Sequence, residues 1–267
     1  MRFALLLLLF AASLPAGSFH FAIVSDRTGR AMPGVYEQVW REVAAAHPDF
    51  VVTVGDAIEG LTSASEARAQ WEALRPLWRH DVPVYHAPGN HDIWDPASEA
   101  LFTKETGREP FYSFDFQDAH FVVLDNSRTE NLSPSQMRFL EADLAKQSHP
   151  GPKFILFHRP FWLIPLKLGE NGFVLQSVAK RFGVCCVLSG HGHQLQSVTK
   201  DGVLYLELGS SGASLAGAGP AGIGYSDGWF YQYGFVTVNG ADVTFEIREL
   251  GAPFGEGRRQ QFHAKAR

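Results

Sequence analysis

Five short segments of this chain carry acidic, amide and imidazole side chains that could share a bound ion. They are Ser25-Asp26, Gly55-Asp56, Gly89-Asn90-His91-Asp92, Phe157-His158 and Gly190-His191-Gly192-His193. This mixture of oxygen and nitrogen donors suits divalent metals. Each segment ends an apolar run: Phe21–Val24, Phe50–Val54, Val82–Tyr85, Phe154–Phe157 and Val184–Leu188. Short runs rich in β-branched and aromatic residues read as strands buried on both faces. Ligands at the ends of neighbouring strands converge where open α/β sheets bind their ligands.

The elements that must position them alternate. Helical periodicity is expected over Val35–Ala46, Ala64–Trp78, Pro134–Lys146 and Gly172–Arg181, with Ser133-Pro134 as an N-cap followed by proline at the first helical position. Phe111–Phe116 and His120–Leu124 flank a short turn and read as a hairpin. After His193 the pattern becomes all-β: Val203–Leu208, Gln232–Val238 and Val243–Arg248, with Asn239-Gly240 in a hairpin turn. Gly209–Gly224 reads as a long loop. No internal repeat or linker divides the chain.

With 267 residues and a net charge of −5, the chain fits one well-buried domain and offers no electrostatic case for a nucleic-acid-binding surface. Residues 1–18 read as a signal peptide: Met1-Arg2, an apolar Phe3–Ala12, then small residues Ala16-Gly17-Ser18. That run is shorter than the roughly 20 residues of a transmembrane span. The expectation is export to the periplasm or medium without stable membrane insertion, the alternative being an uncleaved tether. Residues 19–252 form the expected domain and 253–267 a basic, solvated tail. Cys185 and Cys186 are adjacent in a strand, so their side chains are expected on opposite faces, packing as small hydrophobes.

In their order and spacing, Asp26, Gly55-Asp56, Gly89-Asn90-His91-Asp92, His158 and Gly190-His191-Gly192-His193 resemble the calcineurin-like metallophosphoesterases. Within them they look nearest to the purple-acid-phosphatase-like branch. His120–Asp125, the helix Leu132–Leu144 and the run Leu206–Ser214 support the match. The resemblance spans nearly the whole mature chain. It implies an α/β four-layer αββα sandwich with two central mixed sheets, and a two-metal centre of manganese, iron or zinc at the strand ends.

The resemblance also implies roles. Asp56 would bridge two cations about 3.5–4 Å apart. Asn90, His158 and His191 would complete the second metal's shell, and Asp26 and His193 would hold the first. A hydroxide shared by both metals would attack a small phosphorylated substrate, most simply a monoester. His91 would protonate the leaving group or contact a phosphate oxygen, with Asp92 either orienting it or capping the next helix. His20, His47, His80, His86, His120, His149 and His263 read as surface or core residues.

One departure stands out. The family usually has histidine two residues after the first aspartate; this chain has Asp26-Arg27-Thr28. Purple acid phosphatases compensate with a tyrosine three residues after the bridging aspartate, and Glu59 occupies that place here. Glu59 could ligate the first metal or orient a ligand from behind. Arg27 and Arg159 follow ligands and could bind phosphate oxygens or form structural ion pairs. Trp94, Trp162, Tyr225, Trp229 and Tyr231 could rim the site or pack in the core. The runner-up functions are a phosphodiesterase acting on cyclic nucleotides or phospholipid head groups, and a non-catalytic metal or phosphate binder.

Overall fold

The computed structural model describes residues 17–78, 82–147, 150–215 and 224–267. Most of the expected leader, His80, His149 and residues 216–223 of the long loop lie outside the described residues. Alternating side chains build the layers. In strand β1 (Phe19–Val24), Phe19, Phe21 and Ile23 enter one core, while Ala22 and Val24 join another with helix α1 (Val35–Ala45). The first core is the seam between two six-stranded sheets. Aromatic rings fill it: Phe21 stacks on Phe50 at 4.9 Å and Phe121 on Phe154 at 4.6 Å. Each such ring contributes about 1.5–3 kcal/mol on full burial.

The first sheet contains β2 (Phe50–Thr53), β3 (Val84–His86), β10 (Gln232–Asn239), β11 (Asp242–Glu249) and β12 (Arg259–Lys265), in the order β12-β11-β10-β1-β2-β3. The second contains β4 (Tyr112–Phe116), β5 (Ala119–Val123), β6 (Lys153–Leu156), β7 (Cys186–Ser189), β8 (Gln196–Lys200) and β9 (Val203–Glu207), in the order β4-β5-β6-β7-β9-β8. Helices α1, α2 (Ala64–Leu74) and α3 (Pro96–Thr106) cover the first sheet; α4 (Pro134–Leu144), α5 (Leu163–Lys167) and α6 (Val174–Arg181) cover the second. This is the expected αββα sandwich. Among the described residues, no helix is long and apolar enough to cross a membrane.

Several local expectations change. The C-terminal residues are not a solvated tail: Arg259–Lys265 pairs antiparallel with β11. Its alternating pattern places Phe262 and Ala264 against the seam, and an open sheet edge supplies the hydrogen bonds that a tail would leave to water. The 253–267 boundary therefore cuts through the first sheet. Helix α3 was not expected, although Asp95 caps it from Ser98 N at 2.7 Å and Pro96 opens it, the same signal as Ser133-Pro134. It buries only Ser98, Leu101 and Phe102, too narrow a stripe for periodicity to detect. Asp95, not Asp92, is its cap. Both cysteines are free and belong to the inter-sheet core, because Cys185 precedes β7 and escapes strand alternation.

Candidate metal centre

Strands β1, β2 and β3 run parallel in one sheet, and β6 and β7 in the other, so their carboxyl ends deliver all five segments. The backbone turns sharply there. Gly55 (φ 103°), Asp56 (φ 59°), His191 (φ 80°) and His193 (φ 58°) all lie at positive φ. For the three non-glycine residues this is a strain that the surrounding structure must hold in place.

His158 is fully buried at the centre. Its Nδ1–H donates to the Val54 carbonyl at 2.8 Å, which turns Nε2 toward the other donors. Nε2 lies 3.1 Å from Asn90 Oδ1, 3.2 Å from Asp56 Oδ2 and 3.2 Å from His191 Nδ1. Ligand atoms of Asp56, His158 and His191 all fall within 4.8 Å of one another. Asp56 uses its other oxygen to accept His91 N–H at 2.9 Å. These groups fit a divalent cation. Two imidazole nitrogens, one carboxylate oxygen and one amide oxygen converge, and His158 and Asp56 are anchored through their remaining atoms.

Asp26 and His193 form an adjoining pair, with Nε2 3.6 Å from Asp26 Oδ1. Asp26 also accepts His191 N–H at 2.9 Å and the Ser25 hydroxyl at 2.5 Å. Burial raises the Asp26 pKa against the pull of His158 and His193. Burial also opposes the charge on Asp56, but His158 and the His91 amide outweigh it and lower its pKa to about 2. His158 is raised to about 9: burial disfavours the imidazolium, and Asp56 and Asp26 more than compensate. His191 is lowered to about 4 by burial and by the neighbouring His158 charge.

The remaining expected residues separate into different roles. His91 Nδ1 is 2.6 Å from the Glu59 carbonyl, held apart from the imidazole cluster. Asp92 does not orient it. The buried Asp92 carboxylate accepts backbone N–H groups of Asp56 (2.8 Å), Ala57 (2.9 Å), Ile58 (3.2 Å) and Gly89 (2.9 Å), pinning the β2 turn to the β3 turn. Burial and the Asp56 charge raise its pKa to about 6. Glu59 accepts Ala31 N–H at 2.7 Å. Burial opposes its charge, and the polar groups of the Thr28–Ala31 loop, the Ala31 amide among them, outweigh that and lower its pKa. Its carboxylate therefore braces the loop after Asp26.

Arg27 reaches the Ala57 carbonyl at 3.4 Å and lies over Tyr36, 5.9 Å from the ring centroid. Arg159 pairs with Glu130 at 2.5 Å, yet its buried Nε has no hydrogen-bond partner among the described residues. Trp162 is core, its indole donating to Ser189 Oγ at 2.9 Å. Two supporting residues were not anticipated. Asn126 Oδ1 accepts the N–H groups of His158 (3.2 Å) and Arg159 (3.0 Å), locking the β6 turn. Glu207 is buried behind Gly192, and burial with the Asp26 charge raises its pKa to about 8. The one signal for Glu207 in sequence is a charge closing an otherwise apolar strand, Val203-Leu204-Tyr205-Leu206-Glu207.

The chain belongs to the calcineurin-like phosphoesterase family, whose model matches residues 19–195 and so spans every segment of this cluster. Solved structures show the same fold at low identity. A purple acid phosphatase from yellow lupin seeds aligns with a TM-score of 0.69 and 17% identity over 94% of this chain and 54% of its own. GAP50 of Plasmodium, described as the anchor in the inner membrane complex, gives 0.68 and 13% over 94% and 89%. PhoD gives 0.66 and 10% over 96% and 70%. This chain thus spans about half the length of the lupin enzyme. No curated protein matched by sequence.

Proposed function

We propose that this protein is an exported phosphoric ester hydrolase that works with two divalent cations and prefers phosphate monoesters. The observation that carries the reading is the convergence of Asp56, Asn90, His158 and His191, with Asp26 and His193 alongside and His91 held separately. Asn90, His158, His191 and Asp56 would hold one cation; Asp26, His193 and the shared Asp56 would hold the other. When bound, such cations supply Lewis acidity, neutralising charge on the phosphoryl oxygens and making an attacking water more acidic.

The chain's own groups do the rest. His91 donates Nδ1–H to the Glu59 carbonyl, which leaves Nε2 to carry a proton to the leaving oxygen. Arg159, which follows His158, would place a guanidinium near the cluster to bind a phosphoryl oxygen. Asp92, Glu59, Asn126 and Glu207 would hold the five turns so that the donors need not reorganise on substrate binding. Export rests on the apolar leader Phe3–Ala12.

The test is metal stoichiometry with turnover. Purified protein, stripped by chelator and reloaded with manganese, zinc or iron, should bind two ions and hydrolyse phenyl phosphate faster than its diester. Asp56→Asn should lose at least half the bound metal and essentially all turnover. One ion per chain, or full activity in the variant, would remove the shared-ligand reading. A faster diester would shift the assignment to phosphodiesterase.

A further inference from the structure

The loop between β5 and α4 is fastened to the His158 turn through the buried side chain of Asn126. Asn126 Oδ1 accepts the N–H groups of His158 (3.2 Å) and Arg159 (3.0 Å). Its Nδ2 donates to the carbonyls of Arg159 (2.9 Å) and Glu130 (3.2 Å). One side chain therefore fixes the backbone of Glu130 against the turn that carries His158 and Arg159. Arg128 ties the same loop to the first turn of α3 by pairing with Glu99 at 2.5 Å. The Glu130 side chain is different: it is 70% exposed, and its carboxylate reaches Arg159 Nη1 at 2.5 Å.

The two partners are unequal. The Arg159 side chain is only 20% exposed, and Glu130 is its one ion-pair partner among the described residues. Arg159 directly follows His158, and its charge bears on the His191 imidazole. Burial lowers the His191 pKa most, then the His158 charge, then that of Arg159, which outranks the opposing charge of Asp56. Asp56 itself has a carboxylate oxygen within 4.8 Å of a His191 ring nitrogen. Coulombic effects fade with distance, so the guanidinium stands close to the cluster. A cation beside the candidate metals thus already holds an anion, carried on a solvent-exposed arm.

We infer that Glu130 is a built-in competitor for the phosphoryl subsite: its carboxylate occupies the Arg159 guanidinium until a phosphoryl oxygen takes its place. This rests on the reading of Arg159 as a phosphate contact in the proposed hydrolase, and adds the residue that sets how tightly phosphate is held. A guanidinium accepts carboxylate and phosphate through the same N–H fork, so one can replace the other. Only the Glu130 side chain must rotate into water, because Asn126 keeps its backbone in place. Substrate and phosphate product are then both held less tightly, by the strength of the ion pair. A partly exposed pair changes a binding constant by about twofold to fivefold.

Calorimetry of inorganic phosphate with manganese-loaded protein tests this across the parent, Glu130→Gln, Arg159→Ala and the double variant. Glu130→Gln should tighten phosphate about twofold to fivefold and raise kcat/KM for phenyl phosphate by the same factor. The gain should vanish when Arg159 is alanine. Manganese content at the parent value checks that each variant keeps its cluster; Arg159→Met, which retains the apolar stem, replaces the alanine variant if that one loses metal. Unchanged or weaker phosphate binding in Glu130→Gln would overturn the inference. So would an equal gain without Arg159, because the removed negative charge alone would then account for it. Phosphate binding without turnover of any ester would sink the hydrolase reading instead, and the binding cycle would still decide the role of Glu130.

Discussion

Replacing Gly55 by alanine should destabilise the fold by about 2–5 kcal/mol and weaken the metal centre, and both parts follow from where a new Cβ would lie. Gly55 has φ 103°, a conformation that strains an L-residue by about 1–2 kcal/mol. The added carbon would sit 2.6 Å from His158 Nδ1 and 2.8 Å from the Gly89 backbone, inside any tolerated contact. Neither neighbour is a flexible chain end, so the imidazole or the β3 turn must retreat, an overpacking cost of about 1–3 kcal/mol. A retreating ring loses its 2.8 Å bond to the Val54 carbonyl and misaims Nε2. Loss of such an anchor lowers metal affinity by about 10–100-fold. Gly107→Ala separates the two contributions: φ is 68° there, but nothing lies within 4 Å of the added carbon, so only the backbone strain is paid. Urea midpoints of both variants in chelator, with manganese affinity by calorimetry, make the measurement. At this chain length the Gly55 variant should melt roughly 5–20 °C lower. Equal losses in the two glycine variants, with parental manganese affinity at Gly55→Ala, would refute the steric argument.

Other outcomes follow from the same geometry. On the proposed function, His91→Ala should leave the metal content at the parent value and slow hydrolysis by about 100-fold or more, with a smaller loss for nitrophenyl phosphate, whose leaving group needs little protonation; equal losses on good and poor leaving groups would reassign His91 to phosphate binding. Asp92→Asn replaces one acceptor oxygen by a donor facing backbone N–H groups, so metal content should fall together with rate; retained metal with lost turnover would restore an orienting role toward His91. Glu59→Gln should loosen the Gly29–Ala31 turn and weaken metal retention only modestly, whereas complete loss of one ion would make Glu59 a direct ligand. His120 sits between Asp115 at 2.6 Å and Asp143 at 2.7 Å, and these carboxylates outweigh burial to raise its pKa above 6.5. Its ion pairs therefore stabilise fully below about pH 6.5, and that contribution is lost as pH rises through the raised value. His120→Gln should flatten the pH dependence of the urea midpoint across that window.

Residue type and order were enough to mark where acidic, amide and imidazole groups gather, because Asp26, Asp56, Asn90, His158, His191 and His193 lie in segments that follow short hydrophobic runs reading as interior strands. The double-sheet architecture came from the family resemblance, and the structure realises it by setting Phe21, Phe50, Phe121 and Phe154 together between the two sheets. What the chain could not announce is which group faces which. Asp92 and Glu59 looked like partners of His91 and of a metal by sequence distance, yet they turn to backbone amides that only the closed turns bring within 3.2 Å. Glu207 and Asn126 carry no motif; their meaning comes from β9 lying beside β7 and from the β5 turn lying beside that of β6. The strand Arg259–Lys265 was hidden because an edge strand half in water has the composition of a tail, and a free edge on β11 decides its pairing. Sequence records which atoms can bind a metal; hydrogen-bond direction at buried amides, a through-space property, decides which of them are left free to do so.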